Sequence, residues 1–395
     1  MKLLHTADWH IGRQLNNNGI SLLADQNFML NEIISIAKRE AVDGVIIAGD
    51  LYDRGMPPVE AVKLFDETLT QLLFENQIPV YAITGNHDSA KRLQFGQEFF
   101  KRQHFHLVSR LDDAFQPVET DEAQIFLLPF IDPIDARIYY QDKDIRDIKQ
   151  AIERIVTDMK PLFKPDKAHI LVTHFAVAKG KDDDALREQM LSETTRTVGG
   201  LTTLTSDLFE DFDYVALGHI HTRFASPTEK IAYSGSPLIF NKDEAKRGDI
   251  KGGYLLEISA ESFEKTFIPL PVYKDFLVLE APYQTLISKD FYNQYPRHQV
   301  RFAFEILVED RKELEGINIR AQLEEIYGEE IVDLRIRETN PREVSRKVKI
   351  SQKGSDLSDD VLIANFFQEM TGGQNLSDYQ KEVITELLSE IKEEN

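Results

Sequence analysis

Leu3-Leu4-His5-Thr6-Ala7, followed at once by Asp8-Trp9-His10, is the stretch on which the fold prediction rests. The apolar run predicts a short buried strand, and the acid and the histidine come where that strand ends. Val45-Ile46-Ile47-Ala48-Gly49 repeats the arrangement and leads to Asp50-Leu51-Tyr52-Asp53. Since functional side chains of α/β sheets collect at strand ends, both motifs are candidate site loops.

The arrangement occurs five times. Three more apolar runs end in polar motifs: Val80–Gly85 before Asn86-His87-Asp88, Ile170–Thr173 before His174, and Tyr214–Gly218 before His219-Ile220-His221. One such motif is usually a surface or packing accident, but five in succession hold half of the ten histidines. They predict loops that converge on one rim of the fold.

Carboxylates, an amide and imidazoles without any cysteine suit a divalent ion such as Mn²⁺, with Fe²⁺ or Zn²⁺ as alternatives. The motifs offer more ligands than one ion needs when positions must stay open for water and substrate. A pair of ions sharing one carboxylate, about 3.5–4 Å apart, is the natural arrangement. Asp50, central in the order, is the best candidate for the bridge because its carboxylate offers two oxygens.

Short apolar runs alternating with amphipathic stretches predict an α/β fold for the first part of the chain, with helices over about 21–41, 59–74 and 92–105. Beyond Pro269 and Pro271 the pattern predicts two strands, a helix and a strand, a small α+β unit. We therefore predict an α/β domain over 1–268, a small α+β domain over 269–340, a basic linker over 341–354 and a helical tail over 355–395.

The tail from Ser355 carries ten acidic residues against two lysines and reads as two short amphipathic helices separated by Gly372-Gly373. Such helices cannot form a core alone. They either fold back on the body or dock on a partner. The basic segment before them, Arg335 to Lys353, is either a DNA-backbone contact or a solvated connector.

The 395 residues include 67 acidic and 46 basic side chains, a formal net charge of −21. Such acidity argues against a conventional basic DNA-binding domain. The absence of cysteine excludes disulfide scaffolds and thiolate chemistry. With no signal-peptide core and no apolar run of membrane-span length, we expect a soluble, cytoplasmic protein without a membrane partner.

The order Asp-x-His, Gly-Asp-x-x-Asp, Gly-Asn-His-Asp, His and Gly-His-x-His resembles the calcineurin-like metallophosphoesterase superfamily. The resemblance implies a β-sandwich flanked by helices and two divalent ions. It implies that one ion is held by Asp8, His10 and His221, and the other by Asn86, His174 and His219, with Asp50 bridging. His87 would protonate the leaving oxygen or stabilise the transition state, and Asp53 would orient it. Arg13 is a candidate phosphate contact, with a structural ion pair as the alternative.

His5–Arg13 and Gly49–Asp53 further resemble the opening motifs of the SbcD family, the bacterial nuclease subunit paired with the SbcC ATPase. This implies a metallophosphoesterase nuclease domain over 1–268 and a capping domain for DNA recognition over 269–340. It further implies a Mn²⁺-dependent nuclease, an exonuclease on double-stranded DNA ends and an endonuclease on hairpin DNA, in DNA repair, recombination and replication. It also implies a nucleoid-associated location, a homodimer formed by the helices over 59–74 and 92–105, and a heterotetramer in which the C-terminal helices bind the SMC-like ATPase.

Two other classes stay open. A protein phosphatase would share Gly49–Gly55, but Thr84 stands where those enzymes carry a phosphate-gripping arginine, and Asp88 stands where they carry glutamate. A non-catalytic scaffold tethering DNA ends has no need for His87 beside a full ligand set.

Overall fold

The computed structural model describes residues 1–15, 19–180, 203–295, 299–339 and 381. Its strands are β1 (Lys2–Thr6), β2 (Gln14–Leu15), β3 (Ile20–Ser21), β4 (Gly44–Ala48), β5 (Val80–Ile83), β6 (Phe105–Val108), β7 (Val118–Glu119), β8 (Ala123–Leu128), β9 (Ala168–Thr173), β10 (Val177–Ala178), β11 (Leu204–Thr205), β12 (Tyr214–Leu217), β13 (Ile231–Tyr233), β14 (Gly252–Ile258), β15 (Phe263–Pro269), β16 (Asp275–Pro282), β17 (Val300–Val308) and β18 (Ile331–Glu338).

The α-helices span Leu23–Arg39, Val59–Thr70, Ala90–Leu93, Gln97–Lys101, Leu111–Ala114, Pro133–Tyr140, Ile148–Met159, Lys242–Arg247, Tyr283–Leu286, Lys289–Tyr292 and Ile319–Tyr327. A π-helical turn, Gln71–Glu75, continues the second of them, and 3-10 turns cover Lys160–Leu162, Ser206–Phe209, Arg223–Ala225 and Arg311–Leu314.

Two sheets position the site. A six-stranded sheet has the order β15-β14-β1-β4-β5-β6, and a five-stranded sheet has the order β13-β12-β9-β8-β7. In the first, β1, β4, β5 and β6 run parallel to one another, and in the second β8, β9, β12 and β13 do. Both sheets therefore present a row of carboxyl ends at one edge.

Alternation along each strand sorts the apolar side chains into layers. On β4, Ile46 and Ala48 join a core that also holds Ile170 and Val172 of β9, so this core lies between the two sheets. The alternate residues of β4 pack with the helices on the outer side of their sheet. The second sheet has its own outer core with the helix Ile148–Met159. The predicted β-sandwich flanked by helices is confirmed.

The predicted helix over 92–105 is wrong. Gly96 adopts a left-handed φ of 76° and separates two short helices, Ala90–Leu93 and Gln97–Lys101. Phe105, placed at the end of the predicted helix, instead begins β6, which pairs in parallel with β5. A glycine with positive φ ends a helical segment because the left-handed conformation cannot continue it.

Two compact units can be distinguished among the described residues. One holds Met1–Glu280, Gln284–Glu305 and Arg320–Leu334, and the other holds Ala281–Tyr283, Ile306–Ile319 and the described residues from Arg335 on. Strands β16, β17 and β18 form a three-stranded sheet in that order. The two strands, helix and strand predicted after Pro271 are thus present. The predicted domain boundaries stay a prediction, and the predicted linker and tail lie outside the described residues apart from Lys381.

No helix in the described part of the chain is both long and apolar enough to span a membrane.

Candidate metal centre

The five predicted loops meet at the carboxyl ends of the parallel strands. Hydrogen bonds join the first two loops: Asp8 N donates to Gly49 O at 3.0 Å, and His10 N donates to Asp50 O at 2.9 Å. The fifth loop joins the first through His219 N, which donates to Asp8 Oδ1 at 3.0 Å. Main-chain and side-chain bonds thus fix the loops to one another.

Four of the predicted ligands have a left-handed backbone. The φ angles are 55° at Asp8, 44° at His10, 51° at Asp50 and 90° at His219. Residues other than glycine rarely adopt such angles, and strain of this kind concentrates at functional sites.

Glycines precede the ligands because there is no room for a side chain. A Cβ on Gly218 would lie 1.8 Å from Ala48 O and 2.7 Å from His174 Nδ1. A Cβ on Gly85 would lie 2.2 Å from Asp50 Oδ1. The Gly-His and Gly-Asn pairs in the motifs are therefore a packing requirement of the site itself.

The first group of candidate ligands is Asp8, His10 and His221, whose ligand atoms all lie within 4.8 Å of one another. Nε2 of His10 and Nε2 of His221 are 3.2 Å apart. Asp8 Oδ2 is buried and has no hydrogen-bond partner among the described residues. Buried polar atoms are normally satisfied, so an orphaned carboxylate oxygen beside two imidazole nitrogens fits a cation.

The second group surrounds the side-chain oxygen of Asn86. Asn86 Oδ1 lies 3.1 Å from His174 Nε2 and 3.0 Å from His219 Nδ1. The other ring nitrogen of His174, Nδ1, lies 2.7 Å from Ala48 O. A carbonyl only accepts, so Nδ1 of the neutral imidazole carries the hydrogen and Nε2 presents its lone pair to the group.

Asp50 lies between the two groups. Its Oδ2 is 3.5 Å from His10 Nε2 and 3.3 Å from His174 Nε2. Its Oδ1 accepts a hydrogen bond from His87 N at 2.8 Å. One oxygen, rather than both, thus faces the two ligand groups, while the other is held by the His87 backbone.

Charge and burial oppose each other in this centre. Burial lowers the pKa of His174, but the charge of Asp50 and its hydrogen bond outweigh it and raise that pKa to about 9. Burial, with the charge of His174, lowers the pKa of His219 to about 3. Burial raises the pKa of Asp8 and exceeds the opposing effect of the nearby histidines. Because these buried groups lie so close together, a positive charge from outside the chain would stabilise the ionised carboxylates.

His87 is the exposed histidine of the set, with its ring centroid 4.8 Å from that of His10. Its Nδ1 donates to the backbone carbonyl of Asp53 at 2.9 Å. The Asp53 carboxylate instead pairs with Arg13 Nη1 at 2.9 Å. Asp53 thus contacts His87 through its main chain, and Arg13 forms the ion pair that was the alternative to a phosphate contact.

Two supporting residues were missed in the sequence. The Asp88 carboxylate accepts from three backbone N–H groups, those of Leu51, Tyr52 and Gly85, at 2.9–3.0 Å. Gln26 Nε2 donates to His10 O at 2.6 Å, and its Oε1 accepts from Gly12 N at 2.9 Å. The position of Asp88 in the Gly-Asn-His-Asp motif could have indicated a role in the site. Gln26 is one polar residue on a helix, and no motif in the sequence marks it.

The helices beside the centre are tied to strand β17. Asp25, next to Gln26, forms a bidentate pair with Arg301 at 2.6 and 2.7 Å. Lys242 Nζ lies 3.3 Å from Glu305 Oε1. All four side chains are largely buried, so these pairs are shielded from water and salt.

A family model described as calcineurin-like phosphoesterase matches residues 1–223, more than half of the chain. The chain therefore belongs to the calcineurin-like phosphoesterases. This is a class of metal-dependent hydrolases, which implies divalent ions. The described residues include groups of His and Asp side chains that could hold them.

Within that class the chain belongs to the SbcD family. The SbcD component of the nuclease SbcCD from Staphylococcus saprophyticus is 31% identical over 395 residues, covering 100% of this chain and 99% of the relative. Its counterpart from Staphylococcus epidermidis is 32% identical over 392 residues, covering 99% of each chain.

Proposed function

We propose that this chain is a metal-dependent DNA nuclease, the SbcD component of an SbcCD-type complex, that hydrolyses phosphodiester bonds at a pair of divalent ions. The position of Asp50 Oδ2, 3.5 Å from His10 Nε2 and 3.3 Å from His174 Nε2, carries the proposal. A carboxylate oxygen shared between two ligand groups suits a two-ion phosphoesterase. The relatives, which are named as parts of a nuclease and match along their full length, support it.

In this proposal Asp8, His10 and His221 hold one ion, Asn86, His174 and His219 hold the other, and Asp50 serves both. Oxygen and nitrogen donors without sulfur are compatible with Mn²⁺, the ion proposed here, with Fe²⁺ and Zn²⁺ as alternatives. When bound, the ions offset the negative charge of the phosphodiester and lower the pKa of water, so that hydroxide forms near neutral pH.

His87 is proposed as the group that protonates the leaving oxygen. Because Nδ1 donates to Asp53 O, the proton available for transfer is the one on Nε2 of the imidazolium. The Asp53 carbonyl fixes the orientation of the ring. The exposure of the ring gives a DNA strand access to it.

The proposed substrates are double-stranded DNA ends, attacked as an exonuclease, and DNA hairpins, attacked as an endonuclease. Such substrates belong to DNA repair, recombination and replication, and they imply a cytoplasmic, nucleoid-associated protein. The proposed domains remain 1–268 for the nuclease, 269–340 for the cap, 341–354 for the linker and 355–395 for the tail.

The proposed assembly has two contacts. A homodimer forms through the segments 59–74 and 92–105. In the second segment the side chains of Phe95 and Phe99 are 86% and 65% exposed. The segment 355–395 binds the SbcC-type ATPase as helices in a groove. Truncation at Ser355 should then abolish co-purification with that ATPase and spare Mn²⁺-dependent cleavage of simple DNA. Unchanged co-purification would refute the tail contact.

The decisive experiment compares the wild-type chain with Asp8→Ala on linear DNA, hairpin DNA and a phosphopeptide, each with Mn²⁺ and with chelator. We expect the wild type to cleave both DNAs only with metal, and the variant to lose cleavage and metal content together. Turnover of the phosphopeptide alone would identify a phosphatase. DNA binding without cleavage, at full metal content and in the presence of the SbcC-type ATPase, would identify a scaffold.

A further inference from the structure

A fully buried carboxylate lies behind one candidate ligand. Glu244, in the short helix Lys242–Arg247, places Oε1 3.3 Å from His221 Nδ1. Asn241 caps the helix: its side chain accepts from Glu244 N at 2.9 Å, and its Nδ2 donates to Glu244 Oε1 at 2.7 Å. The carboxylate is thus held at the backbone and at the side chain.

The second oxygen of Glu244 is equally well held. Lys251 Nζ lies 2.7 Å from Glu244 Oε2 and also donates to His221 O at 2.9 Å and to Ser236 Oγ at 3.0 Å. Lys251 therefore contacts both the carboxylate behind His221 and the main chain of His221. Since Glu244 and Lys251 are buried together, each offsets the cost of burying the other.

These contacts decide which nitrogen of His221 faces the centre. An ionised carboxylate accepts, so the hydrogen of the neutral imidazole is on Nδ1 and the lone pair is on Nε2. Nε2 is the atom 3.2 Å from His10 Nε2, in the group with Asp8. His174 has its orientation fixed in the same way, but by the neutral carbonyl of Ala48.

We propose that Glu244 is a positioning residue of the metal centre, which sets the Nδ1–H tautomer of His221 and, with Lys251, fixes the orientation of its ring. The inference rests on the proposed function insofar as it takes His221 for a metal ligand. Carboxylate partners of this kind raise the basicity of a ligating imidazole, and their loss typically weakens metal binding about 10–100-fold.

The first test needs no substitution. In ¹⁵N-histidine-labelled, metal-free protein, long-range ¹⁵N–¹H spectra report the tautomer of each imidazole, and His221→Gln assigns the His221 signals. The proposal requires hydrogen on Nδ1 of His221. An Nε2–H tautomer would overturn it, whatever any variant does.

The second test measures Mn²⁺ binding by calorimetry in the absence of DNA. For Glu244→Gln we expect about 10–100-fold weaker binding of one ion and unchanged binding of the other. Asp243→Asn, which removes the same charge one residue away on the same helix, should bind both ions like the wild type. Thermal melting of each metal-free variant shows whether the fold is kept.

Normal Mn²⁺ affinity in a folded Glu244→Gln would refute the positioning role, and Glu244 would then be only the partner of Lys251. If Glu244→Gln does not fold, the tautomer of His221 in the wild-type protein alone decides whether the proposal holds. Failure of the proposed function looks different: the wild type would bind Mn²⁺ and keep the Nδ1–H tautomer, yet cleave no DNA.

Discussion

His174 Nε2 lies 3.3 Å from Asp50 Oδ2, and this contact determines the protonation state of His174 in the metal-free centre. The charge of Asp50 outweighs burial and raises the pKa of His174 to about 9, so His174 is protonated at neutral pH. A divalent ion requires the neutral imidazole, so binding must displace that proton.

We therefore expect Mn²⁺ binding at pH 7 to release about one proton per chain from His174, and the affinity to rise with pH by up to about tenfold per unit until about pH 9. Calorimetry in buffers of different ionisation enthalpy measures the proton count directly. In Asp50→Asn the release from His174 should disappear along with tight binding. Proton-neutral binding at pH 7 by the wild type would contradict the prediction.

Replacement of His87 by alanine should lower kcat on linear DNA by about 10²–10⁴-fold, because the leaving oxygen loses its proton donor. Mn²⁺ binding should be nearly unchanged, since His87 Nδ1 is engaged with the Asp53 carbonyl. His104→Gln, an exposed histidine of the first unit, is the matched control. Near-normal cleavage by His87→Ala would refute the role of proton donor.

Gly218→Ala should damage the fold and the metal centre together. The new Cβ would stand 1.8 Å from Ala48 O and 2.7 Å from His174 Nδ1, so the main chain must move. Overpacking of this kind costs about 1–3 kcal/mol or more. Thermal melting and metal analysis measure the two effects. Gly180→Ala, where no atom lies within 4 Å of the added Cβ, should change neither.

His5 should make stability depend on pH. Burial lowers its pKa to about 3, and its Nδ1 lies 2.8 Å from Tyr214 Oη. His5 is thus neutral in the folded chain at pH 5, whereas an unfolded histidine takes up a proton below about pH 6.5. Because the unfolded state binds the extra proton, stability falls as pH decreases from about 6.5 toward 3, by at most about 1.4 kcal/mol per unit.

Urea unfolding of metal-free wild type and His5→Gln at pH 7.5 and pH 5 tests this. The other histidines contribute equally to both proteins, so the difference in their pH slopes isolates His5. We expect the variant to lose about 1–2 kcal/mol less than the wild type between the two pH values. Equal slopes in the two proteins would contradict the lowered pKa of the buried His5 side chain.

The strand-end loops could be predicted from the sequence because each motif is local: an apolar run, a glycine and a ligand within a few residues. The structure brings Asp8, Asp50 and His174 together as that pattern predicts. That these residues bind metal remains a prediction. Which oxygen of Asp50 faces the two ligand groups could not be predicted, since it depends on the hydrogen bond from His87 N to Oδ1.

The supporting residues could not be predicted for a different reason. Glu244 reaches His221 only because the helix Lys242–Arg247 packs behind the centre, and Gln26 reaches His10 only because its helix packs under the first loop. Neither has a ligand next to it in sequence. The break at Gly96 was missed because apolar spacing on both sides of it continues a helical pattern.

Strand β17 carries Arg301 and Glu305 four residues apart, and therefore on one face of the strand. Arg301 is bound to Asp25, beside the glutamine that holds His10 O, and Glu305 is bound to Lys242, in the helix that carries Glu244. The two helices that support His10 and His221 are thus anchored to one strand by buried ion pairs. The relative position of these two imidazoles therefore depends on a part of the chain that lies far from both of them in sequence and contributes no candidate ligand.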